Sequence, residues 1–346
     1  MNTNVGKSDA LFTNYGSAVS ADYWSRMHSH WSHLASKTRQ QDPFCSLPQW
    51  QLSFHDAFSP KRRLLFRETS DSLIAFAEKV SSPENIYLTP IEPHWLFGNP
   101  LLGPQAVDLL SDTLFEIDKT YYPLFPRILI SGIAPKGAMY RQLMKRFDSK
   151  FTFNRHSSDI QCGASLAGGI DGFLSRRSSN HRKKLKKETS GARRNGLSFE
   201  RRVAGSFEEA DEVFSRMIAV EMASWKGIAH CGMAEKPTDK FYRLMLRRMS
   251  PSKTSRIIFA RHEDKDIGFI YGGMAGSVYR GQQFSYDDEW RNASIGNLLQ
   301  FEQLKWLCEE GATRYDMGPL LGPRMEYKRH WTEKQFRIEA WTLHQH

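Results

Sequence analysis

Four cysteines in 346 residues are few. Cys45, Cys162, Cys231 and Cys308 stand apart with no CxxC spacing, which excludes a disulfide framework and a cysteine zinc site and fits a reducing cytoplasm. No apolar run approaches the roughly 18 residues of a membrane span, so none is expected. The opening MNTNVGKSDALFTNYGS lacks the basic segment and apolar core of a secretory signal. Asn2 also stands where myristoylation requires glycine. His28, His30 and His33 have no companion carboxylate or cysteine cluster, so no metal is expected. His230 and Cys231 are adjacent in the chain and neighbours rarely face each other, which argues against a covalent cysteine mechanism. No short-period repeat is visible.

What is present is enough for a large core: 40% of residues are hydrophobic and 12% aromatic. The length favours two domains. The formal net charge is +10, and its distribution says more than its total. Arg176 to Arg194 holds nine basic residues and one acid, Glu188, so this segment alone carries +8. The protein therefore has one local positive element rather than a basic surface. Its readings are a solvated helix face, or a site for phosphates or another acidic partner. Basic residues bind phosphate chains without regard to sequence, but the segment lacks the interleaved aromatics of dedicated nucleic-acid readout.

Residues 1–42 read as a polar extension with one short helix through Tyr23, Met27, Trp31 and Leu34. An N-terminal domain follows over 43–165. It has a helix through Trp50, Phe54 and Phe58, two strands around Thr69–Asp71, a proline-punctuated loop, a helix from Ala106, a strand at PRILISGIAP and a helix at GAMYRQLMKRF. The C-terminal domain, 166–346, opens on a glycine-rich turn and the basic helix. Strand LSFERRV and a helix capped by Ser206, with acids in its first turn, come next. After another helix, SRIIFARHEDKDIGFIYGGMAGSVYRGQQFSY reads as three antiparallel strands. A helix over 297–310 and two final strands complete an α/β (α+β) pattern.

The chemistry concentrates in YDDEWRNASIGNLLQ, where a strand ends in three acids and turns into a helix. Ser294 is placed to cap that helix, and Gly296 permits a ligand to approach the backbone. Unpaired N–H groups at the helix start, with Arg291 nearby, form a phosphate site. Asp287, Asp288 or Glu289 could take a proton from an attacking amine, or simply be solvated. Glu221 in EMASWKG either orients or deprotonates an acceptor, or pairs with Lys226. Lys328 either holds a donor phosphate or acceptor carboxylate, or forms a salt bridge with Asp316 or Glu326.

DGFLSRRSSNHRKKLKKE, EMASWKG, SYDDEWRNASIGNLLQ, YDMG and EYKRHW occur in this order. Together they resemble the CelD-like acyltransferases of the GNAT superfamily, relatives of the FemABX aminoacyl transferases, over about Asp42 to Leu343. The resemblance implies tandem GNAT-like domains, each a mixed, mostly antiparallel sheet flanked by helices, with the acyl donor in the C-terminal one and the acceptor in the cleft between them. It implies a catalytic set of Asp287, Glu221 and Asp316, with Arg291, Asn292, Ser294, Ile295, Gly296 and Asn297 at the donor. Trp225, Lys226, Tyr286, Lys328 and Arg177 would meet substrate. The co-substrate would be acyl-CoA, or an acyl-carrier protein docked on the basic helix, and the acceptor an amine on a small molecule, sugar or peptide. RNASIGNLL matches the family's pyrophosphate loop only in part, because Leu298 replaces its second glycine. An aminoacyl-tRNA-dependent transferase and a non-catalytic binding protein of the same fold are the rival expectations.

Overall fold

The computed structural model describes residues 11–13, 15, 21–38 and 42–346. Residues 1–10, on which the targeting and myristoylation readings rest, lie outside these, as do parts of the N-terminal extension. In chain order the elements of the first half are α1 (Ala21–Lys37), α2 (Pro48–Phe58), β1 (Leu64–Glu68), β2 (Leu73–Ser82), β3 (Asn85–Pro90), β4 (Leu101–Leu102), α3 (Ala106–Tyr121), β5 (Arg127–Ile133), α4 (Ala138–Phe147) and β6 (Phe151–Ser165). The second half holds α5 (Gly169–Ser175), α6 (Ser179–Arg194), β7 (Leu197–Arg202), α7 (Phe207–Ala223), α8 (Trp225–Ile228), α9 (Thr238–Met249), β8 (Ser255–His262), β9 (Lys265–Ala275), β10 (Val278–Tyr286), α10 (Ile295–Glu309), β11 (Arg314–Pro319), α11 (Lys328–Trp331) and β12 (Lys334–Gln345).

The chain forms two compact units, residues 1–159 with 337–346, and residues 160–336. In the first unit β1, β2 and β3 pair antiparallel, β3 and β5 pair parallel, and β12 returns antiparallel to β5. The parallel pair needs a crossover, which α3 supplies. One sheet face puts Leu65, Ile74, Phe76, Leu88, Ile128 and Ile130 against Val107, Leu110 and Ile117 of α3 and Leu143 and Phe147 of α4 in one core. Each such side chain contributes about 1.5–3 kcal/mol when fully buried. The proline-rich loop after β3 is fixed by Glu92, whose carboxylate accepts the His94 and Trp95 N–H groups at 2.6 Å each. Burial pushes Glu92 up to about 7.

The second unit repeats that logic. β7, β8, β9 and β10 form an antiparallel run, β10 and β11 pair parallel, and β11 pairs antiparallel with the end of β6. Here α10 is the crossover. The two-residue period of the strands divides their side chains between layers. Ile258, Ala260 and Ile270 face Ile295, Leu298 and Leu299 of α10, while Phe259 lies under Arg216 of α7 and Tyr271 against Tyr242 of α9. Ser206 caps α7 by accepting the Glu209 N–H. Each unit is thus a mixed, mostly antiparallel sheet with helices packed on it, the architecture expected from the five motifs. One local boundary changes: the basic helix begins at Ser179 rather than Arg176, and a separate short helix, α5, precedes it.

Candidate active site

β10 and β11 run side by side only briefly. Their register is Val278↔Arg314, Tyr279↔Tyr315 and Arg280↔Asp316, and there the pairing ends. Both strands are irregular at this point, β10 between Gly281 and Gln283 and β11 between Asp316 and Gly318. Arg280 is the wedge. Its side chain is 4% exposed and lies against Gly318, where a Cβ would collide with the guanidinium and where φ is +78°. Glycine at 318 therefore satisfies a left-handed backbone and a close approach together.

Beyond the wedge the strands part and a cavity of about 700 Å3 opens in the second unit. Its walls are Gly281 to Tyr286 of β10, Tyr315 and Met317 of β11, and Ser294, Gly296, Asn297 and Gln300 at the start of α10. Arg291, Trp225, Lys226, Cys231, Arg324, Tyr327 and Lys328 complete much of the rim and floor. Parting the strands leaves the facing edges of β10 and β11 without each other here, and polar groups on them must be met some other way. Two lysines do part of this. Lys226 Nζ donates to Phe284 O at 2.8 Å and Gln283 Oε1 at 3.1 Å, and Lys328 Nζ donates to Pro319 O at 2.6 Å. Desolvation lowers the pKa of both, Lys328 to about 7.

The start of α10 differs from the sequence expectation in one respect. Ser294 is the N-cap residue, but it sits in the left-handed region at φ 58° and its side chain makes no capping hydrogen bond. The first N–H groups of this helix are therefore not taken by that hydroxyl, and they point with the positive end of the helix dipole toward the cavity wall. Gly296 is held close to the rings of Phe284 and Tyr286, with a Cβ there falling 3.1 Å from one and 3.4 Å from the other. Asn297 is turned the other way at its amide nitrogen, donating to Glu188 of α6 at 3.2 Å. α6 presents Arg182, Lys183, Lys184, Lys186 and Lys187 as exposed residues and buries Leu185.

Of the residues expected at a site, Trp225, Lys226, Tyr286, Arg291, Ser294, Gly296, Asn297 and Lys328 line this cavity. Three acids and three other residues stand elsewhere. Asp287 accepts from Lys265 Nζ at 2.7 Å and caps the turn Asp288–Trp290 through the Glu289 N–H. Glu221, wholly buried, accepts the Met233 N–H at 2.8 Å and lies 4.0 Å from Lys226 Nζ. Asp316 pairs with Arg314 at 2.7 Å. Arg177 is buried, paired with Glu333 and laid over Phe173; Ile295 is core and Asn292 is exposed. Lys328 has neither of the carboxylate partners considered for it, since Asp316 goes to Arg314 and Glu326 to Arg329 at 2.5 Å. Sequence reasoning missed Tyr315, Gln300 and Tyr327 in the walls; nothing in their spacing marks them, because the parted strands and α11 bring them together from distant segments. No cluster of His, Cys, Asp or Glu able to hold a metal occurs among the described residues. No helix among them is long and apolar enough to cross a membrane.

A parallel strand pair that parts beside a helix N-terminus marks the second unit. Residues 179–329 match the family model described as an acetyltransferase (GNAT) domain. Among solved structures, a conserved protein of unknown function from Bacteroides thetaiotaomicron matches at TM-score 0.64 with 9% identity, covering 92% of this chain and 97% of that one. FemX matches at TM-score 0.64 with 11% identity, over 90% of this chain and 95% of that one. The C-terminal domain of a protein described as a lysylphosphatidylglycerol synthetase, from Agrobacterium fabrum, matches at TM-score 0.58 with 10% identity and 92% coverage of both chains. At such identities the likeness is one of fold. No curated protein matches the chain.

Proposed function

We propose that the second unit is an N-acyltransferase that moves an acyl group from a coenzyme A thioester to an amine by direct attack. The observation that carries this reading is the parting of β10 from β11 beside the N-terminus of α10. A pyrophosphate belongs where helix N–H groups, Arg291 and Gly296 converge. A thioester arm laid along the β10 edge would place its carbonyl against main-chain donors, which stabilise the oxyanion of the tetrahedral intermediate. The acceptor amine then approaches across the remaining wall of Lys226, Trp225 and Lys328.

In this reading Glu221, Asp287 and Asp316 are supports: they hold Lys226, the turn before Arg291, and Arg314. Asn292, Ile295 and Arg177 keep the donor loop and α5 in place rather than touching substrate. A second reading draws on the exposed cations of α6 and on the near-complete coverage of FemX: an aminoacyl-tRNA donor, with α6 against the tRNA backbone. An acyl-carrier protein would use the same face. Calorimetric titration with coenzyme A, acetyl-CoA and longer acyl-CoAs separates these. Saturable binding supports the thioester reading, whereas no binding together with salt-sensitive tRNA binding supports the second.

A further inference from the structure

We infer that Lys328 is the proton acceptor of the transfer reaction, in place of a carboxylate. The inference rests on the thioester-transfer reading above. The cavity lining contains Lys226, Arg291, Arg324 and Lys328 and no Asp or Glu, so an amine arriving as an ammonium finds no acid there to deprotonate it. Lys328 is 6% exposed and is tethered by one hydrogen bond to Pro319 O, at the end of the strand that parts from β10, with Met325 Sδ at 3.6 Å as its other contact.

The groups facing it explain why it can stay uncharged. Arg280 of β10 repels a proton on it, while Cys162 of β6 favours one weakly. On its own segment Glu326 is taken by Arg329 and Tyr327 is half-buried with its ring against Phe284, while Asp316 of β11 is taken by Arg314. Burial dominates, and Lys328 falls to about 7, the range in which a base works best at neutral pH. Lys226 is the less suitable amine because Glu221, 4.0 Å away, favours its charged form. In the step itself, neutral Lys328 takes one proton from the acceptor ammonium. The freed amine attacks the thioester carbonyl, the C–N bond forms and the C–S bond breaks. The second nitrogen proton goes to the departing thiolate, and Lys328 returns its proton to solvent.

The test is a titration of the full chain carrying 13C-labelled lysine by heteronuclear NMR, with Lys328→Arg used to assign the signal and calorimetry run in parallel with coenzyme A. The expected midpoint is near pH 7, unchanged within one pH unit at saturating coenzyme A. With whichever primary amine accepts acetyl from acetyl-CoA, kcat/KM should rise with the same midpoint, and Lys328→Arg should lose about 100-fold or more in kcat with coenzyme A affinity within twofold. A midpoint above pH 9, a rise to that range on adding coenzyme A, or an arginine variant within threefold of normal turnover would overturn the inference. Absence of coenzyme A binding with a midpoint still near pH 7 would refute the donor reading and leave the uncharged lysine standing.

Discussion

Replacing Lys328 with methionine should reverse the usual effect of deleting a hydrogen-bonded side chain, and the size of the reversal follows from its burial. In the unfolded chain this amine binds its proton up to about pH 10.5, and in the folded protein it releases it near 7. Between those values the unfolded state holds one more proton than the native state, so native stability climbs with pH at up to about 1.4 kcal/mol per pH unit. Below pH 7 both states carry the charge and above 10.5 neither does, so the difference is flat outside the window. The methionine variant keeps the stem volume, loses the Pro319 contact at every pH, and has no such slope. Subtracting its stability from that of the parent cancels all other titrations distant from the site. The difference should move in favour of the parent by about 3–4 kcal/mol between pH 7 and pH 10. Urea denaturation at half-unit intervals measures it. Parallel curves for parent and variant across that window would show that Lys328 is charged in the native protein and would refute the reasoning.

Other outcomes follow from the same geometry. Glu221→Ala removes the acceptor of the buried Met233 N–H and the carboxylate beside Lys226 and should destabilise by about 3 kcal/mol, while Glu221→Gln, which keeps an acceptor for that N–H, should cost less than half as much; denaturation at pH 7 distinguishes them. Gly296→Val places a branched side chain toward Phe284 and the donor wall, and Arg291→Ala removes an exposed cation; each should weaken coenzyme A at least about tenfold with little change in melting temperature, as read by calorimetry. Glu200 is held down to about 2, first by its hydrogen bonds from Arg216 and then by those from Arg202. Its folded pKa is depressed, so its contribution is present above about pH 4.5 and fades as pH falls toward 2. At 29% exposure, solvent screening limits that contribution to about 1 kcal/mol. The stability gap between parent and Glu200→Gln should therefore close between those two pH values in an acid titration.

Much of the second unit can be read from local sequence because its elements obey local rules. Ser206 with acids after it makes a capped helix, and alternating Ile, Phe and Tyr around short turns makes the β8–β9–β10 run. β6 was not legible: its middle, NRHSSD, is exposed or half-buried and shows neither period, and its extended form comes from pairing with strands distant in the chain, β11 at its end among them. The site divided along the same line. Arg291, Gly296 and Asn297 stand on a contiguous motif, and Lys226 on its own short one. The isolation of Lys328 depends on Asp316 and Glu326 choosing arginines instead, and such choices among charged partners have no signature in spacing. Arg177 belonged to a conspicuously basic segment, yet packing against Phe173 and Glu333 removes it from the surface.

The central claim, that the gap between β10 and β11 receives a coenzyme A thioester, is tested most directly by a crystal structure of the protein with coenzyme A. The account predicts the pyrophosphate at the N-terminus of α10 beside Arg291 and Gly296, with the thiol arm between the parted strands and its sulfur on the Lys328 side. Density for coenzyme A only along α6, or an empty gap at saturating ligand, would contradict it.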